Sequence, residues 1–225
     1  HKQGQRRHEQ VSWRLFCMIG KCRMIRKKGS ESMEIKIIDE SQFSTYVWSG
    51  GKTTEMYLYP QDASYKERNF LFRISSATVE DETSVFTRLP GIHREILLLN
   101  GSMVLQHGQG VPVTLQPYEP HAFEGEWETV SHGKATDFNV MYQNCKSFVK
   151  VISETGKAVF EKTVGMDFFY SKEDDFRLEQ TIVKRGQLAM ITGQTGGVKL
   201  ISDEENPGIV HVGITDLSGT AERVE

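Results

Sequence analysis

The stretch Phe70-Leu-Phe-Arg-Ile-Ser-Ser-Ala-Thr-Val79 is rich in aromatic and β-branched residues and contains neither glycine nor proline. This composition is typical of a β-strand. Alternation along the strand places Arg73, Ser75 and Ala77 on the same face as Leu71. A guanidinium on an interior face needs an anion or several hydrogen-bond acceptors. The stretch therefore predicts a strand that carries a polar group into the protein interior.

Similar short segments recur on both sides of this stretch, with glycine and proline turns between them. They lie at residues 34–38, 54–59, 95–99, 102–106, 111–115, 135–141, 148–152, 157–161, 167–170, 187–191, 198–201 and 209–214. Asn100-Gly101 between two of them is a strong hairpin signal. Only residues 39–44 and 171–175 have the composition of a helical turn. Many short strands with such turns predict an all-β sandwich or barrel.

The strands fall into two sets, before and after about residue 145. We therefore expect two similar β-barrels packed together, the first over residues 33–145 and the second over residues 146–225. No internal repeat is visible in the sequence itself, so the division depends on the spacing of the predicted strands alone.

The charge of the chain is unevenly distributed. The 225 residues carry a net charge of -3. Residues 1–32 contain nine basic and two acidic side chains, which leaves 18 basic and 28 acidic side chains in residues 33–225, a net charge of -10. An acidic body argues against nucleic acid as the main partner, because a nucleic-acid binder must neutralise phosphates. No run of about 18 apolar residues is present, so the sequence predicts no membrane span.

The basic segment before Met33 is expected to lie outside the fold. Lys27-Lys28-Gly29-Ser30-Glu31 back-translates to a purine-rich run that resembles a bacterial ribosome-binding site, and we therefore interpret Met33 as the native start. The alternative is a basic amphipathic arm for a membrane surface or an anionic partner. The three cysteines, Cys17, Cys22 and Cys145, predict free thiols in a reducing cytoplasm.

Metal and nucleophile motifs are weak in this sequence. The histidines of the body, which are His93, His107, His121, His132 and His211, have no second histidine within two residues, and we predict ordinary surface or strand-end histidines and no bound metal. There is no Gly-x-Ser-x-Gly motif. Cys145 is typical of a small buried hydrophobic residue. The glycines at 50–51 and 193–197 predict tight turns, since neither segment leads into a helix.

Polar residues embedded in the predicted strands are the candidate site. They are Glu55, Arg73, Arg94, Asp137 and Asn139. One interpretation is a structural salt-bridge network. The other is a barrel mouth that binds a small polar ligand, with Trp48, Phe86 and Tyr142 as its walls. The residues alone do not favour either interpretation.

Five ordered motifs between residues 48 and 141 resemble those of the HutD/Ves family. They are Trp48-Ser-Gly-Gly-Lys-Thr-Thr-Glu55, Phe72-Arg-Ile-Ser-x-Ala77, Ser84-x-Phe86 with Leu89-Pro-Gly-x-x-Arg94, Leu97-Leu-Leu-Asn-Gly101, and Phe123-Glu-Gly125 with Asp137-Phe-Asn-Val-Met141. The resemblance extends from residue 33 to about residue 215. It implies a cupin-like, jelly-roll β fold in bicupin arrangement without the usual metal ligands. It also implies an association with histidine-utilisation genes or, in the Ves branch, with stress. Trp48-Ser-Gly-Gly and Phe72 favour the Ves branch.

From the residues and the resemblance together we expect a non-enzymatic, cytoplasmic protein that binds a small molecule without a cofactor. Arg73 and Arg94 hold a carboxylate in this hypothesis. The remaining candidates contact the rest of the ligand: Glu55, Ser75, Asp137 and Asn139 through polar groups, and Trp48 and Phe86 as apolar walls. A histidine-degradation intermediate such as formiminoglutamate or urocanate meets these requirements, and the expected role is regulatory or buffering.

Two other functions stay open at this point. One is a cupin-type enzyme, an isomerase or a dioxygenase, with a metal bound in an unusual way or with Glu55 as a metal-free acid or base. The other is a protein-interaction module whose polar interior is purely structural. Exposed strand edges make a homodimer a reasonable expectation in each case.

Overall fold

The computed structural model describes residues 32–163, 165–205 and 207–217. Cys17, Cys22 and the predicted basic segment therefore lie outside the described residues, apart from Ser32. The described strands are β1 Glu34–Ile38, β2 Ser44–Trp48, β3 Gly51–Tyr59, β4 Phe72–Val79, β5 Thr83–Val85, β6 His93–Gly101, β7 Met103–His107, β8 Val113–Leu115, β9 His121–Glu124, β10 Thr129–His132, β11 Ala135–Tyr142, β12 Lys146–Ile152, β13 Gly156–Glu161, β14 Gly165–Tyr170, β15 Phe176–Leu178, β16 Thr181–Val183, β17 Leu188–Thr192, β18 Gly197–Ser202 and β19 Ile209–Thr215.

These strands form four sheets. The order is β2-β3-β4-β11-β6-β9 in the six-stranded sheet and β5-β10-β7-β8 in its four-stranded neighbour. The second half has the order β1-β17-β14-β19-β12 in a five-stranded sheet and β13-β18-β15-β16 in a four-stranded sheet. The prediction of an all-β protein is confirmed. Within the described part of the chain, no helix is long and apolar enough to cross a membrane.

The strand pairing repeats along the chain. In the first half β11 pairs with β4 and β6, β10 pairs with β5 and β7, and β6 pairs with β9. The same ladders recur eight strands later, with β19 on β12 and β14, β18 on β13 and β15, and β14 on β17. The repeat is thus visible in the topology although the sequence does not display it.

Two details of the expected architecture need correction. Each of the four sheets of described strands is open, so the chain forms two sandwiches where closed barrels were expected. The strand β1, grouped by the sequence with the first half, pairs antiparallel with β17 of the second half. The strand β17 pairs with β14 on its other side, so β1 covers its remaining edge, and hydrophobic pattern alone does not specify such a partner.

Three of the four apolar clusters among the described residues lie between the sheets. The largest lies between the six-stranded and five-stranded sheets, where Phe72 meets Phe168 edge-on at 5.6 Å and Phe138 stacks on Tyr170 at 5.6 Å. Each half has its own core between its two sheets. The strand β4 is buried on both faces at its start: Phe72 and Ile74 pack into the largest core, while Arg73 and Ser75 are buried on the opposite face.

The Asn100-Gly101 hairpin prediction is wrong. The strand β6, which ends at Gly101, lies in the six-stranded sheet, whereas β7 begins at Met103 in the four-stranded sheet. Gly101 has φ of +88°, and a Cβ atom there would lie 2.4 Å from the carbonyl oxygen of Lys134. The glycine therefore lets the chain turn a corner between sheets, since only a residue without a side chain fits this backbone approach.

The two expected helical turns had different outcomes. The first is confirmed as a 3₁₀ helix at Glu40–Gln42, where Asp39 and Gln42 form a capping box. The second is wrong: residues 171–175 are irregular, because the Ser171 hydroxyl accepts the Asp174 amide and the Asp175 carboxylate accepts the Arg185 amide. Acidic side chains in this segment cap loop backbone instead of opening a helix.

Candidate functional site

One cavity of about 700 Å³ opens against the inner face of the six-stranded sheet. All eight candidate residues line it: Trp48, Glu55, Arg73, Ser75, Phe86, Arg94, Asp137 and Asn139. They come from β2, β3, β4, β6 and β11 and from the segment after β5. Whether these residues bind a ligand stays a prediction, but the structure brings the whole set together around one space.

Strand alternation explains why these side chains share a face. Opposite one another on neighbouring strands, Arg73 pairs with Met141 and Ser75 pairs with Asn139. On β3 a bulge after Glu55 shifts the register by one residue, so that Glu55 lies opposite Ser75 and Leu58 lies opposite Arg73. The bulge therefore keeps both β3 side chains on the cavity face despite their odd and even numbers.

Arg73 is already neutralised within the protein. Its Nε donates to Glu55 Oε2 at 2.6 Å, and its Nη1 donates to Ser75 Oγ at 3.1 Å. The guanidinium also lies over the ring of Tyr65, 4.5 Å from the centroid. The salt-bridge interpretation is thus correct for this pair, and Arg73 contributes no net charge with which to hold an anion.

Arg94 is in a different situation. It is 6% exposed, it forms no ion pair with any described residue, and its Nε has no hydrogen-bond partner there. The guanidinium lies between two rings, 4.7 Å from the centroid of Phe86 and 5.1 Å from that of Phe123. Burial lowers the pKa of Arg94 to about 10, so the group stays cationic at neutral pH. A buried, unpaired guanidinium facing a cavity is a site for an anion.

Asp137 faces the same cavity with few partners. It is 2% exposed, and its Oδ1 accepts a long hydrogen bond of 3.3 Å from the Ala77 amide. Burial raises the pKa of Asp137 to about 7, and the positive charges of Arg94 and Arg73 oppose this rise. The carboxyl group therefore exists in both charge states near neutral pH. Asn139 adds a buried acceptor, since its Oδ1 has no hydrogen-bond partner among the described residues.

The apolar walls differ slightly from those expected. Trp48 donates from Nε1 to Thr53 Oγ1 at 3.2 Å and lies directly over Gly50, where a Cβ atom would approach its ring to 2.3 Å. Tyr142 does not line the cavity, because alternation along β11 points Met141 inward and turns Tyr142 to stack near His93. The tryptophan and the glycine beneath it thus form one packing unit.

Sequence reasoning missed one part of the site. The irregular segment after β3 contributes Ser64, Tyr65 and Lys66 to the cavity wall. This segment has no periodicity, so its sequence carries no signal about which side chains point inward. Lys66 is exposed at the rim, whereas Tyr65 covers Arg73.

Other expectations can be compared with the described residues. No described histidine lines the cavity, and no group of three or more metal-ligating side chains was found in the described ranges. His211 was expected near the surface or at a strand end, but it lies buried within β19 and bonds Asp167 at 2.8 Å. Cys145 is a half-buried free thiol whose pKa burial raises to about 11, which disfavours the thiolate that a nucleophile requires.

Two solved structures have a similar overall fold. HutD from Pseudomonas fluorescens SBW25, in a formate condition, aligns with a TM-score of 0.69 and 20% identity over 81% of this chain and 98% of its own. A conserved protein of unknown function from Pseudomonas aeruginosa PAO1 aligns equally well, with a TM-score of 0.69 and 21% identity over 81% and 99% of the two chains.

More distant structures extend the likeness to the cupin-like fold. Hazelnut vicilin aligns with a TM-score of 0.57 and 6% identity over 81% of this chain and 87% of its own. The bacterial pirin YhhW from Escherichia coli aligns with a TM-score of 0.58 and 7% identity over 80% and 98%. At these identities the likeness shows the fold alone.

The sequence comparison identifies the family. The family model named HutD matches residues 40–204, which include every residue assigned above to the cavity. The expected resemblance is therefore confirmed over most of the body: this chain belongs to the HutD family.

Proposed function

We propose that the chain is a protein of two cupin-like halves that binds a small carboxylate-bearing metabolite in the cavity of its first half. The observation that carries this proposal is Arg94, a buried cation that lacks an ion-pair partner in the described residues and faces a cavity of about 700 Å³. A carboxylate supplies the missing negative charge, and the planar guanidinium is suited to bind it through two hydrogen bonds.

The rest of the ligand meets the other unpaired groups. Asn139 Oδ1 accepts an N–H or O–H group, and Asp137 either donates or accepts according to its charge state. Phe86 and Trp48 supply apolar surface. A histidine-degradation intermediate has both a carboxylate and an N–H group, so we place the function in sensing or buffering such a metabolite in the cytoplasm.

A thermal-shift series with small carboxylates tests this function. The panel contains acetate, glutamate, formiminoglutamate and urocanate, each beside its neutral amide. We expect at least one histidine-derived carboxylate to raise the melting temperature, with a stabilisation of about 2.7 kcal/mol at a hundredfold excess over Kd. The matched amides leave it unchanged, because they lack the charge that Arg94 requires. Equal shifts with acid and amide, or none with any acid, would falsify the proposal.

A second candidate function is metal-free enzymatic catalysis, and Asp137 favours it. A pKa of about 7 is suited to a general acid or base at neutral pH. Glu55, the residue first considered for this role, is bound to Arg73 instead. Proton NMR of the same carboxylates with chelator-treated protein separates the two functions. New product signals that depend on Asp137 support catalysis, and unchanged spectra support binding alone.

A homodimer stays a prediction. The five residues of β2 form an exposed edge strand of the six-stranded sheet, which favours pairing with a second copy.

A further inference from the structure

The strand β2 has a free edge on the outside of the six-stranded sheet, where it pairs with β3 alone among the described strands. All five of its residues are exposed. Of the eight large apolar side chains that are exposed in the described part of the chain, three are consecutive on this strand: Tyr46 at 57%, Val47 at 84% and Trp48 at 36%. Backbone groups of alternate β2 residues thus point away from β3 beside a concentration of exposed apolar surface.

Edge strands normally carry features that prevent pairing with another chain, such as charged side chains, proline or a bulge. The three other described edge strands of five or more residues have such charges, which are Glu34 and Lys36 on β1, Lys146 and Lys150 on β12, and Lys157 and Glu161 on β13. The strand β2 is uncharged, contains no proline and keeps an unbroken register on β3 from Ser44 to Trp48. Among the described edges of this length, β2 is therefore the one that is open to pairing.

Charge and sequence favour a second copy of this chain as the partner of β2. Residues 33–225 carry a net charge of -10, so two copies repel one another where their charged surfaces face each other. An uncharged strand is where they approach at the lowest electrostatic cost. Antiparallel pairing about Tyr46 places Tyr46 opposite the partner's Tyr46 and Thr45 opposite the partner's Val47. Aromatic and β-branched side chains then meet in pairs, and no like charges do.

We propose that two copies of the chain pair antiparallel through β2, about a two-fold axis at Tyr46. Side chains directly opposite each other in such a pair lie on the same face of the sheet. Because Tyr46 and Trp48 line the cavity, Tyr46 of the partner subunit joins the cavity rim, beside Tyr46 and diagonally across from Trp48. The interface depends on β2 alone and does not require the cavity to bind a carboxylate.

Sedimentation velocity of the full chain over a range of concentrations tests the interface. We expect a dimer that dissociates on dilution. Val47→Lys, on the face away from the cavity, removes both Val47–Thr45 pairs and brings two like charges diagonally together, so the dimer Kd should rise by at least about tenfold. Thr45→Lys on the same face should act alike. The matched control is Val159→Lys, because Val159 is a 61% exposed valine on the lysine-bearing edge strand β13, and it should leave the Kd unchanged.

Cross-linking tests the register. On mild oxidation Tyr46→Cys should form a disulfide with its own copy, whereas Thr45→Cys should cross-link only when it is mixed with Val47→Cys. The parent protein gives the background from the native cysteines. Equal cross-linking of Thr45→Cys alone would contradict the two-fold axis at Tyr46.

Tryptophan emission tests the contact at the cavity rim. The emission should move to shorter wavelength as the dimer forms, because Trp48 loses contact with water. Trp48→Phe should abolish this shift, and Trp127→Phe, which changes a 44% exposed tryptophan outside β2, should retain it. A parent that stays monomeric, or a dimer Kd that is unchanged in both lysine variants of β2 at the parent's melting temperature, would overturn the proposal. In that case a second copy does not occupy the β2 edge.

Discussion

Replacing Arg94 with methionine will abolish stabilisation by carboxylate ligands while leaving the empty protein at least as stable as the parent. The loss of a buried, charge-assisted contact weakens binding by at least about a hundredfold, equivalent to about 3 kcal/mol. Methionine conserves most of the volume between Phe86 and Phe123. The stability is retained because the guanidinium lacks an ion-pair partner within the described residues, so its removal relieves a desolvation cost.

Two matched variants make this result specific. Lys66→Met removes the exposed cation at the cavity rim and should change Kd by less than about threefold, since exposed charges contribute little. Arg73→Met has the opposite profile from Arg94→Met: it leaves Glu55 without its 2.6 Å partner and should lower the unfolding free energy by about 3 kcal/mol. Urea unfolding and the thermal-shift series measure both effects. A carboxylate response that survives in Arg94→Met rules out Arg94 as the anchor.

Carboxylate affinity will fall by about tenfold for each pH unit above 7 and by about a hundredfold between pH 7 and pH 9. A bound carboxylate and an ionised Asp137 place two negative charges beside one buried cation, Arg94. The complex therefore holds Asp137 protonated. Because burial raises the pKa of free Asp137 to about 7, binding above that pH must take up a proton. Below pH 7 the proton is already present and the affinity levels off.

Calorimetry between pH 6 and pH 9, in buffers of different ionisation enthalpy, measures the proton uptake directly. Asp137→Asn is permanently neutral and should bind with a Kd that does not change over this range. Exposed Asp81→Asn serves as the control and should keep the parent profile. A parent Kd that is independent of pH contradicts the coupling.

The same residue predicts how the empty protein responds to pH. The pKa of Asp137 is higher in the folded state than the ordinary value of 3.8. Its contribution to stability is therefore complete below about pH 4 and is lost as the pH rises toward 7. Asp137→Asn should not show this loss.

Much of the fold follows from local pattern. Alternation and β-branched composition identify the strand from Phe72 because its two faces meet different environments, one apolar and one polar. Pairing partners do not follow in the same way. Asn100-Gly101 has the composition of a hairpin turn, yet in the structure Gly101 lies where the chain passes from one sheet to another. A hairpin turn and such a crossing both require a backbone conformation that glycine adopts readily. The choice between them depends on contacts distant in sequence, such as that of Gly101 with Lys134.

The candidate site was predictable for a related reason. A charged residue in an apolar strand, such as Arg73 or Asp137, is costly to bury and so marks an interior polar site. What the sequence does not reveal is which charges cancel. In the sequence, Arg73 and Arg94 both stand beside apolar strand residues, so neither is distinguished as the unpaired charge. In the structure only Arg73 has a carboxylate at hydrogen-bond distance, that of Glu55, which the β3 bulge keeps on the cavity face.

The strand β1 has a consequence for any attempt to dissect the molecule. It precedes the first half in the chain but completes the edge of the sheet in the second. A fragment that ends at residue 145 therefore carries an orphan strand, and a fragment that begins at residue 146 exposes the flank of β17 to other chains. Neither half is complete without the β1–β17 pairing, so protein for crystallography or binding assays should retain residues 33–217 as one piece.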